Sequence, residues 1–519
     1  MLMALERYGM LGGALSAGAI RHGDRTALID ERGELSYKEL DERSNALANA
    51  WRERGLIAGE GVAVLARNHR GFVDAVFAAS KCGARIVLLN TSFAGRQIQE
   101  VAEREGTDLL VYDDEYAEMV GDAELKRGRY IAWTDDDSAR DDTLDALIKE
   151  GDPTSPPKPE QGPRITILTS GTTGTPKGAP REEPKSLGII GGLLSKVPFR
   201  ARETTELCVP IFHALGFTHA VLGIALGSTL VVRRRFDPET TLDSLEEHQA
   251  TAMIVVPVML QRIVDLGEDQ VKQRNLDQLR IIFVSGSALG ENLVKEALNA
   301  FGPVIYNLYG STEIAYATIA APNDLEQAPA SVGKVVRGSV VKILDEDENE
   351  LPVGESGRIF VGNRSQFEGY TGGGSKEEVG GLMSSGDVGH FDEAGRLFID
   401  GRDDEMIVSG GENVFPAEVE ELLASHDSIA EAAAIGVEDE KFGQRLKAFV
   451  VLRDGAKLGE DEVKDYVKEN LARYKVPREV VFIDELPRNP TGKVLKQELE
   501  EQGDSENSEE LEEAESETS

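Results

Sequence analysis

Between residues 25 and 120 the chain switches repeatedly between two hydrophobic rhythms. From Tyr37 to Arg54 the apolar positions recur at helical spacing, and Phe72–Cys82 does the same. Val62–Leu65, Ile86–Leu89 and Leu109–Val111 are instead short continuous apolar runs, the form of strands buried on both faces. Strand, helix, strand, helix predicts a parallel sheet covered by helices. Residues 151–164 (GDPTSPPKPEQGPR) are proline-rich and polar and predict a linker between subdomains. A second series follows, with strands at Leu230–Val232, Met253–Val256 and Ile281–Val284. From residue 331 to 400 the pattern becomes short glycine-punctuated strands, Val340–Leu344 and Gly357–Val361 among them, which predicts a small antiparallel barrel. After residue 403 a separate α+β unit begins. The predicted class is α/β, with a large N-terminal lobe (1–402) of βα-layered subdomains plus the small β-barrel. A small α+β C-terminal domain (403–500) follows. Residues 501–519 hold nine acidic side chains and no basic ones, and predict a disordered tail.

Length and charge narrow the field. At roughly 150 residues per domain, 519 residues predict about three domain-sized units. Against 93 acidic side chains stand 56 basic ones, for a formal net charge of −37. Only 21 of the bases are lysine and 35 are arginine, so the shortage of positive charge falls on lysine. Such a surface repels phosphate backbones and anionic head groups, which excludes general binding to nucleic acid or membrane surfaces. No apolar run approaches the roughly 18 residues a membrane-spanning helix requires, so no integral membrane segment is expected. The N-terminal stretch carries Glu6 and lacks a basic leader, and predicts a first helix rather than a signal peptide. Cys82 and Cys208 form neither a disulfide framework nor a zinc spacing, which fits a reducing cytoplasm. Pervasive acidity with lysine depletion points to a salt-rich cytoplasm and a halophilic protein.

Candidate chemistry begins where Ile165–Leu168 feeds into TSGTTGTPKG, residues 169–178. Gly171, Gly174 and Gly178 allow positive φ and expose backbone N–H groups to one concavity. Thr169, Ser170, Thr172, Thr173 and Thr175 add hydroxyls, and Lys177 adds a positive charge. This composition suits a polyphosphate. It is not a Walker A motif, because Pro176 precedes the lysine and the glycine spacing differs.

The loop resembles the phosphate-binding loop of the adenylate-forming (AMP-binding) enzymes, which include acyl-CoA synthetases, luciferases and peptide-synthetase adenylation domains. Four further stretches match that superfamily in order, so the resemblance covers residues 20–500. Tyr306-Asn307-Leu308-Tyr309-Gly310-Ser311-Thr312-Glu313 resembles its aromatic-glycine-x-Thr-Glu motif. The resemblance implies that Tyr309 faces adenine, that Asn307 and Gly310 border the nucleotide, and that Thr312 donates to the α-phosphate. Glu313 is a hard oxygen ligand suited to Mg²⁺. Gly286 and Ser287 resemble the loop bordering adenine and the acyl group. Ser385-Gly386-Asp387 resembles a Thr-Gly-Asp whose aspartate accepts both ribose hydroxyls, with serine in place of threonine. Arg402 would reach ribose or phosphate oxygens.

Joining a carboxylate to the α-phosphate of ATP holds two anions together, so the transition state needs a directed positive charge. Pro487-Arg488-Asn489-Pro490-Thr491-Gly492-Lys493 resembles the motif carrying the superfamily's catalytic lysine, which implies Lys493 for that role, with Thr312 and Glu313 assisting. Neither cysteine lies in a nucleophile context, so coenzyme A brings its own thiol. Family resemblance further implies a mobile C-terminal domain, with Asp404 at the hinge; a plain turn residue is the alternative. Gly410 and Gly411 resemble the glycine segment beside the pantetheine arm. Lys468 and Lys475 are candidates for the CoA phosphates. Pro210-Ile211-Phe212-His213 resembles the segment gating the acyl site, although His213 equally suits a core position. The acyl pocket is expected near Phe212, His213, Phe217, Val256 and Gly286. Its apolar lining, without an acid to hold an α-ammonium, favours an aliphatic or aromatic acid over an amino acid.

These features together predict a cytoplasmic acyl-CoA synthetase of the fatty-acid–CoA ligase branch, a monomer or homodimer. Its substrates would be a small-molecule carboxylic acid, ATP and CoA, with Mg²⁺. The rivals are an adenylating enzyme that loads a carrier protein and a catalytically silent nucleotide-binding module. Salt should matter twice, because screening relieves both self-repulsion and the repulsion of incoming ATP and CoA. The fold is expected to melt on dialysis from high to low salt, and activity to rise with salt. A circular dichroism spectrum unchanged at low salt, or activity falling monotonically with salt, contradicts this.

Overall fold

The computed structural model describes the chain from Leu2 to Leu499, apart from residues 122–124, 137–141, 170–176, 183–187, 365, 368, 372, 404, 410–411, 440–442 and 490–491. Three groups of expectations therefore lie outside the described residues: Ser170, Gly171, Thr172, Thr173, Gly174 and Thr175; the hinge and pantetheine positions Asp404, Gly410 and Gly411; and the acidic tail.

Local chemistry starts the helices where the pattern places them. Ser36 accepts from the backbone N–H of Glu39, and the Glu39 carboxylate accepts from that of Ser36, a capping box that opens Tyr37–Glu53. Tyr37, Leu40, Leu47 and Trp51 on that helix are buried. The helix Arg70–Cys82 ends on Gly83 in the left-handed region at φ 70°.

Two sheets build the first part of the chain. Gly61–Leu65, Arg85–Leu88, Thr107–Asp113, Arg129–Trp133 and Arg164–Thr169 run parallel in a six-stranded sheet, and Lys177–Glu182 closes one edge antiparallel. A nine-stranded sheet is parallel through Thr229–Val232, Thr204–Leu207, Ala252–Val255, Ile281–Val284 and Ile305–Ser311. Beyond these it turns antiparallel at Ala315–Ala320. The region expected to form a barrel is a five-stranded antiparallel sheet in which Leu382–Phe391 pairs with three neighbours. Among the described residues its ladder does not close on itself. A further five-stranded sheet, including Ile429–Asp439 and Gly443–Leu452, forms the C-terminal unit.

One expectation is overturned. Residues 151–163 are irregular but do not separate subdomains, because the strand after them, Arg164–Thr169, pairs with Arg85–Leu88 in the same sheet. The segment is strapped down as well. Arg7 and Tyr8 both donate to the Pro156 carbonyl, and Asn45 and Asn49 donate to the carbonyls of Asp152, Pro153 and Thr154. Proline and polarity marked an absence of regular hydrogen bonding, not an absence of contacts.

The nine-stranded sheet has two distinct faces. Ala252, Ile254, Val256, Ile281 and Phe283 belong to one core with the helix Ala214–Leu226, whereas Met253, Val255, Ile282 and Val284 belong to a second. This alternation is the period of two expected of strands buried on both sides. Among the described residues no helix is long and apolar enough to cross a membrane.

A buried cation ties the helix Arg70–Cys82 to the helix Tyr37–Glu53. Lys81 is fully buried, and its Nζ donates to Asp41 Oδ1 at 2.7 Å, Ser44 Oγ at 2.7 Å and Asn45 Oδ1 at 2.8 Å. Burial pulls the Lys81 ammonium below its ordinary pKa, and the Asp41 charge opposes that pull. Removing one partner of such a pair strands the other. Lys81→Ala is expected to lower unfolding free energy by about 3 kcal/mol in a denaturant titration; an unchanged midpoint contradicts it.

Candidate active site

Parallel strands leave their carboxyl ends on one edge, where open α/β sheets hold ligands. Most of the described sequence-predicted residues fall into three groups at or beside that edge.

The first group surrounds the glycine-rich loop. Thr169, at the end of one strand, pairs across the ladder with Lys177 at the start of the next, so the loop springs from a fixed base. Gly178 N–H donates to Thr371 Oγ1 at 3.0 Å, and Thr371 N–H donates back to the Gly178 carbonyl at 2.9 Å. A Cβ on Gly178 would lie 2.4 Å from that Thr371 hydroxyl. The Lys177 ammonium sits 5.1 Å from the centre of the Tyr370 ring, and Tyr370 donates to Glu313 Oε1 at 2.9 Å. Burial, aided by the Glu313 charge, raises the Tyr370 phenol and keeps it a donor. Ser311 Oγ donates to the other Glu313 oxygen at 2.9 Å. Lysine, ring and carboxylate thus form one row.

Glu313 and its neighbour Thr312 occupy the turn between Ile305–Ser311 and Ala315–Ala320. Gly310 has a local reason to be glycine: a Cβ there would lie 2.0 Å from the Ala315 carbonyl oxygen of the same hairpin. Glu313 is one carboxylate whose two oxygens each accept a single described hydrogen bond, which leaves lone pairs for a cation. That donor set fits Mg²⁺, which is bound by one or two carboxylates together with substrate phosphates and water. Among the described residues no group of three or more His, Cys, Asp or Glu side chains is gathered as a metal site.

The second group is centred on Asp387. Tyr309 donates to Asp387 Oδ2 at 2.5 Å, and Arg402 Nη1 donates to Oδ1 at 3.3 Å. Asp387 and Arg402 are register partners on adjacent antiparallel strands, which fixes their approach through the backbone. Burial lifts the Asp387 carboxyl above its ordinary pKa, against the Tyr309 hydrogen bond and the charges of Arg402 and Lys376. Ser385 serves where the resemblance expects threonine: its hydroxyl donates to the Ile359 carbonyl and accepts from Asp387 N–H. Gly386, at φ 81°, admits Lys376, whose Nζ would be 3.2 Å from a Cβ on that glycine. Lys376 and Tyr370 were not visible as site residues in the sequence. Both lie in a glycine-rich stretch without periodicity, and only tertiary approach gives them partners.

The third group joins the C-terminal unit to the sheet. Gly492, at φ 78°, precedes Lys493 and abuts the sheet edge, because a Cβ there would lie 2.4 Å from Val258 Cγ1 and 3.6 Å from Val256 Cγ2. Asn489 Oδ1 accepts from Lys493 N–H, and Arg488 donates to the Gly492 carbonyl, which shapes the turn. Gly286, at φ 107°, and the half-buried Ser287 follow the neighbouring strand Ile281–Val284. Asn307 is buried in register with Val284.

The rings of Phe212 and His213 pack in a tilted contact, centroids 4.5 Å apart, at the head of the helix Ala214–Leu226. Phe217 is not brought to this group. It lines an apolar cavity of about 20 Å³ with Leu11, Phe72 and Val76, on a different side of the helix from His219, which packs on Phe283 of the sheet. The two positions are about 200° apart around the axis, a phase that a nearly uniform apolar helix does not reveal in sequence. Lys475 is paired with Glu418, and Lys468 lies 3.5 Å from Asp465.

Comparison with known proteins fits this geometry. Residues 15–371 match the AMP-binding enzyme family, and residues 418–493 match the AMP-binding enzyme C-terminal domain. The chain belongs to the AMP-binding enzyme family. The 2-succinylbenzoate–CoA ligase of Geobacillus kaustophilus is 32% identical over 92% of this chain and 94% of its own. A fatty acid–[acyl-carrier-protein] ligase of Streptomyces coeruleorubidus is 30% identical over 91% of this chain and 92% of its own. Among solved structures, the o-succinylbenzoate CoA synthetase of Bacillus subtilis in complex with its acyl-adenylate intermediate superimposes with a TM-score of 0.80. That pair is 27% identical, with 94% of this chain and 97% of the other covered. This AMP-binding enzyme is thus an adenylate-forming enzyme, and its relatives place it on the CoA-ligase branch.

Proposed function

We propose that this AMP-binding enzyme joins an apolar carboxylic acid, aliphatic or aromatic, to coenzyme A through an acyl-adenylate. The observation that carries the reading is the seating of the Lys493 turn against Val256 and Val258, beside the edge where the loop base, Glu313 and Asp387 gather. Lys493 is thereby supplied to the same edge as the nucleotide residues, from a separate unit of the chain.

In the first step a carboxylate oxygen attacks the α-phosphorus of ATP, the bond to the β-phosphate oxygen breaks, and pyrophosphate leaves. Lys177 and the loop N–H groups hold the departing phosphates, and Lys493 meets the charge that gathers at the α-phosphate. Thr312 donates to the same phosphate. Tyr309 offers adenine a flat face, and Asp387 accepts from the ribose hydroxyls while Arg402 holds it in place. When Mg²⁺ is bound, Glu313 would hold it, and the ion would neutralise phosphate charge. In the second step the CoA thiolate attacks the acyl carbonyl, a carbon–sulfur bond forms, and AMP leaves with the oxygen it gained. Phe212, His213 and Gly286 border the acyl group, with Asp404 as the hinge that presents Gly410 and Gly411 to CoA.

The relative named as a carrier-protein ligase keeps a second acceptor in view. A panel of carboxylic acids, assayed for pyrophosphate release and then for AMP release on adding free CoA, tests the reading. Acid-dependent pyrophosphate followed by CoA-dependent AMP is expected; pyrophosphate without any response to CoA points to a carrier protein. Lys493→Ala is expected to lower acyl-adenylate formation by at least 100-fold, the scale of one directed transition-state charge, while sparing thioester formation from supplied adenylate. Equal loss of both steps contradicts the role of Lys493.

A further inference from the structure

Shortly after Lys493 stands a second lysine that the proposed reaction does not use. Lys496 has 22% of its side chain exposed, and its Nζ lies 2.6 Å from Glu405 Oε2 and 2.9 Å from Glu420 Oε1. Burial pulls the ammonium down, but the charges of Glu420 and Glu405 outweigh it and hold the pKa above its ordinary value. One cation between two acids is more than a surface pair. Removing it leaves two carboxylates opposed in a partly buried place.

Each acid leads to a different part of the molecule. Glu420 lies on the helix Pro416–Ala424, and its Oε1 also accepts from the Ala434 N–H of the strand Ile429–Asp439 at 2.8 Å. Glu405 directly follows Asp404, the proposed hinge. On both sides of that position the chain is tied to the N-terminal lobe. Asp403 N–H donates to the Gly386 carbonyl at 3.0 Å, and the N–H groups of Glu405 and Met406 donate to the Arg402 carbonyl at 3.3 and 3.1 Å. Arg402 is the residue whose side chain reaches Asp387. Lys496 also ends one leg of the Lys493 turn. Arg488 and Val494 are bridge partners, Leu495 N–H donates to the Pro487 carbonyl at 2.8 Å, and Arg488 pairs with Glu431 at 3.0 Å. The turn is thus fixed to its own unit at Arg488 and, through Lys496 and Glu405, to the chain that leaves Arg402.

We propose that Lys496 is a positioning residue for Lys493, a role that rests on the acyl-CoA ligase reading and deepens it. By clamping Glu405 and Glu420 together, Lys496 holds the Lys493 turn in a fixed relation to the hinge and to the end of the strand that carries Arg402. Lys496 itself touches no substrate. Displacing a directed charge by about 1 Å costs on the order of 100-fold in rate, so loosening the clamp slows adenylation without removing the group that performs it. The thioester step does not use Lys493 and so does not need the clamp.

The two half-reactions of the full chain test it: acyl-adenylate formation followed by pyrophosphate release, and thioester formation from supplied acyl-adenylate and free CoA. Lys496→Met is expected to slow the first by about tenfold or more, through kcat rather than the KM for ATP, and to leave the second within about twofold of native. Lys496→Arg keeps the charge and should restore most of the first rate. Because Lys496→Met leaves Glu405 and Glu420 opposed, adding Glu405→Gln to it should recover part of the loss. Glu405→Gln alone is expected to slow adenylate formation severalfold, and it carries the test if Lys496→Met fails to fold. Equal loss of both half-reactions, no loss in either, or a Lys496→Arg enzyme as slow as Lys496→Met overturns the positioning role and leaves the ligase reading intact. Equal loss of both steps in Lys493→Ala overturns the role of Lys493 and the clamp with it. Failure of every acid to release pyrophosphate from the native enzyme overturns the ligase reading as well.

Discussion

The carboxylate of Asp387 is the point on which the site depends. It accepts from Tyr309, 78 residues away in sequence, and from Arg402 on the adjoining strand. Tyr309 lies on Ile305–Ser311, the last parallel strand of the nine-stranded sheet, and Arg402 ends the strand Leu397–Arg402 of the antiparallel sheet, just before the C-terminal unit begins. One buried acid thus couples two layers of the N-terminal lobe. It remains hydrogen-bonded at both oxygens, as a buried charge must be.

Charge explains why so much of this machinery is interlocked. The chain carries a net charge of −37, yet ATP and CoA are polyanions. Attraction must therefore be local. In the proposed function Lys177, Arg402 and Lys493 would supply it, the first two set by strand register and the third carried on a turn that begins with Gly492. Lys376 approaches over Gly386, and the Lys493 turn is brought in by Gly492. Local placement of few cations also fits the depletion of lysine elsewhere.

Much of the candidate site was legible because its motifs are carried by backbone geometry. The spacing of Asp387 and Arg402 reflects a strand pair, and the strand before Thr169 fixes where the loop begins. Gly310 is demanded by its own hairpin, so its identity can be read without knowing the ligand. What sequence did not reveal depends on tertiary approach. Tyr370 and Lys376 gain meaning only when the glycine-rich stretch folds back on Glu313 and Gly386. Phe217 and His219 differ only in helical phase on a helix that is apolar nearly all round, and the phase was not recoverable from the pattern. The proline-rich segment before Arg164 misled in another way, since composition reports backbone hydrogen bonding and says nothing of side chains such as Arg7 and Asn49 that reach in to hold it.

Calorimetric titration of ATP into the native protein and into Asp387→Asn tests the central claim most directly. Asparagine keeps the shape but removes the charge and one of the acceptors on which Tyr309 and Arg402 rely. The account predicts a loss of ATP affinity of tenfold or more, about 1.4 kcal/mol, with the native far-UV circular dichroism spectrum retained. An unchanged ATP affinity in a folded Asp387→Asn protein would contradict it.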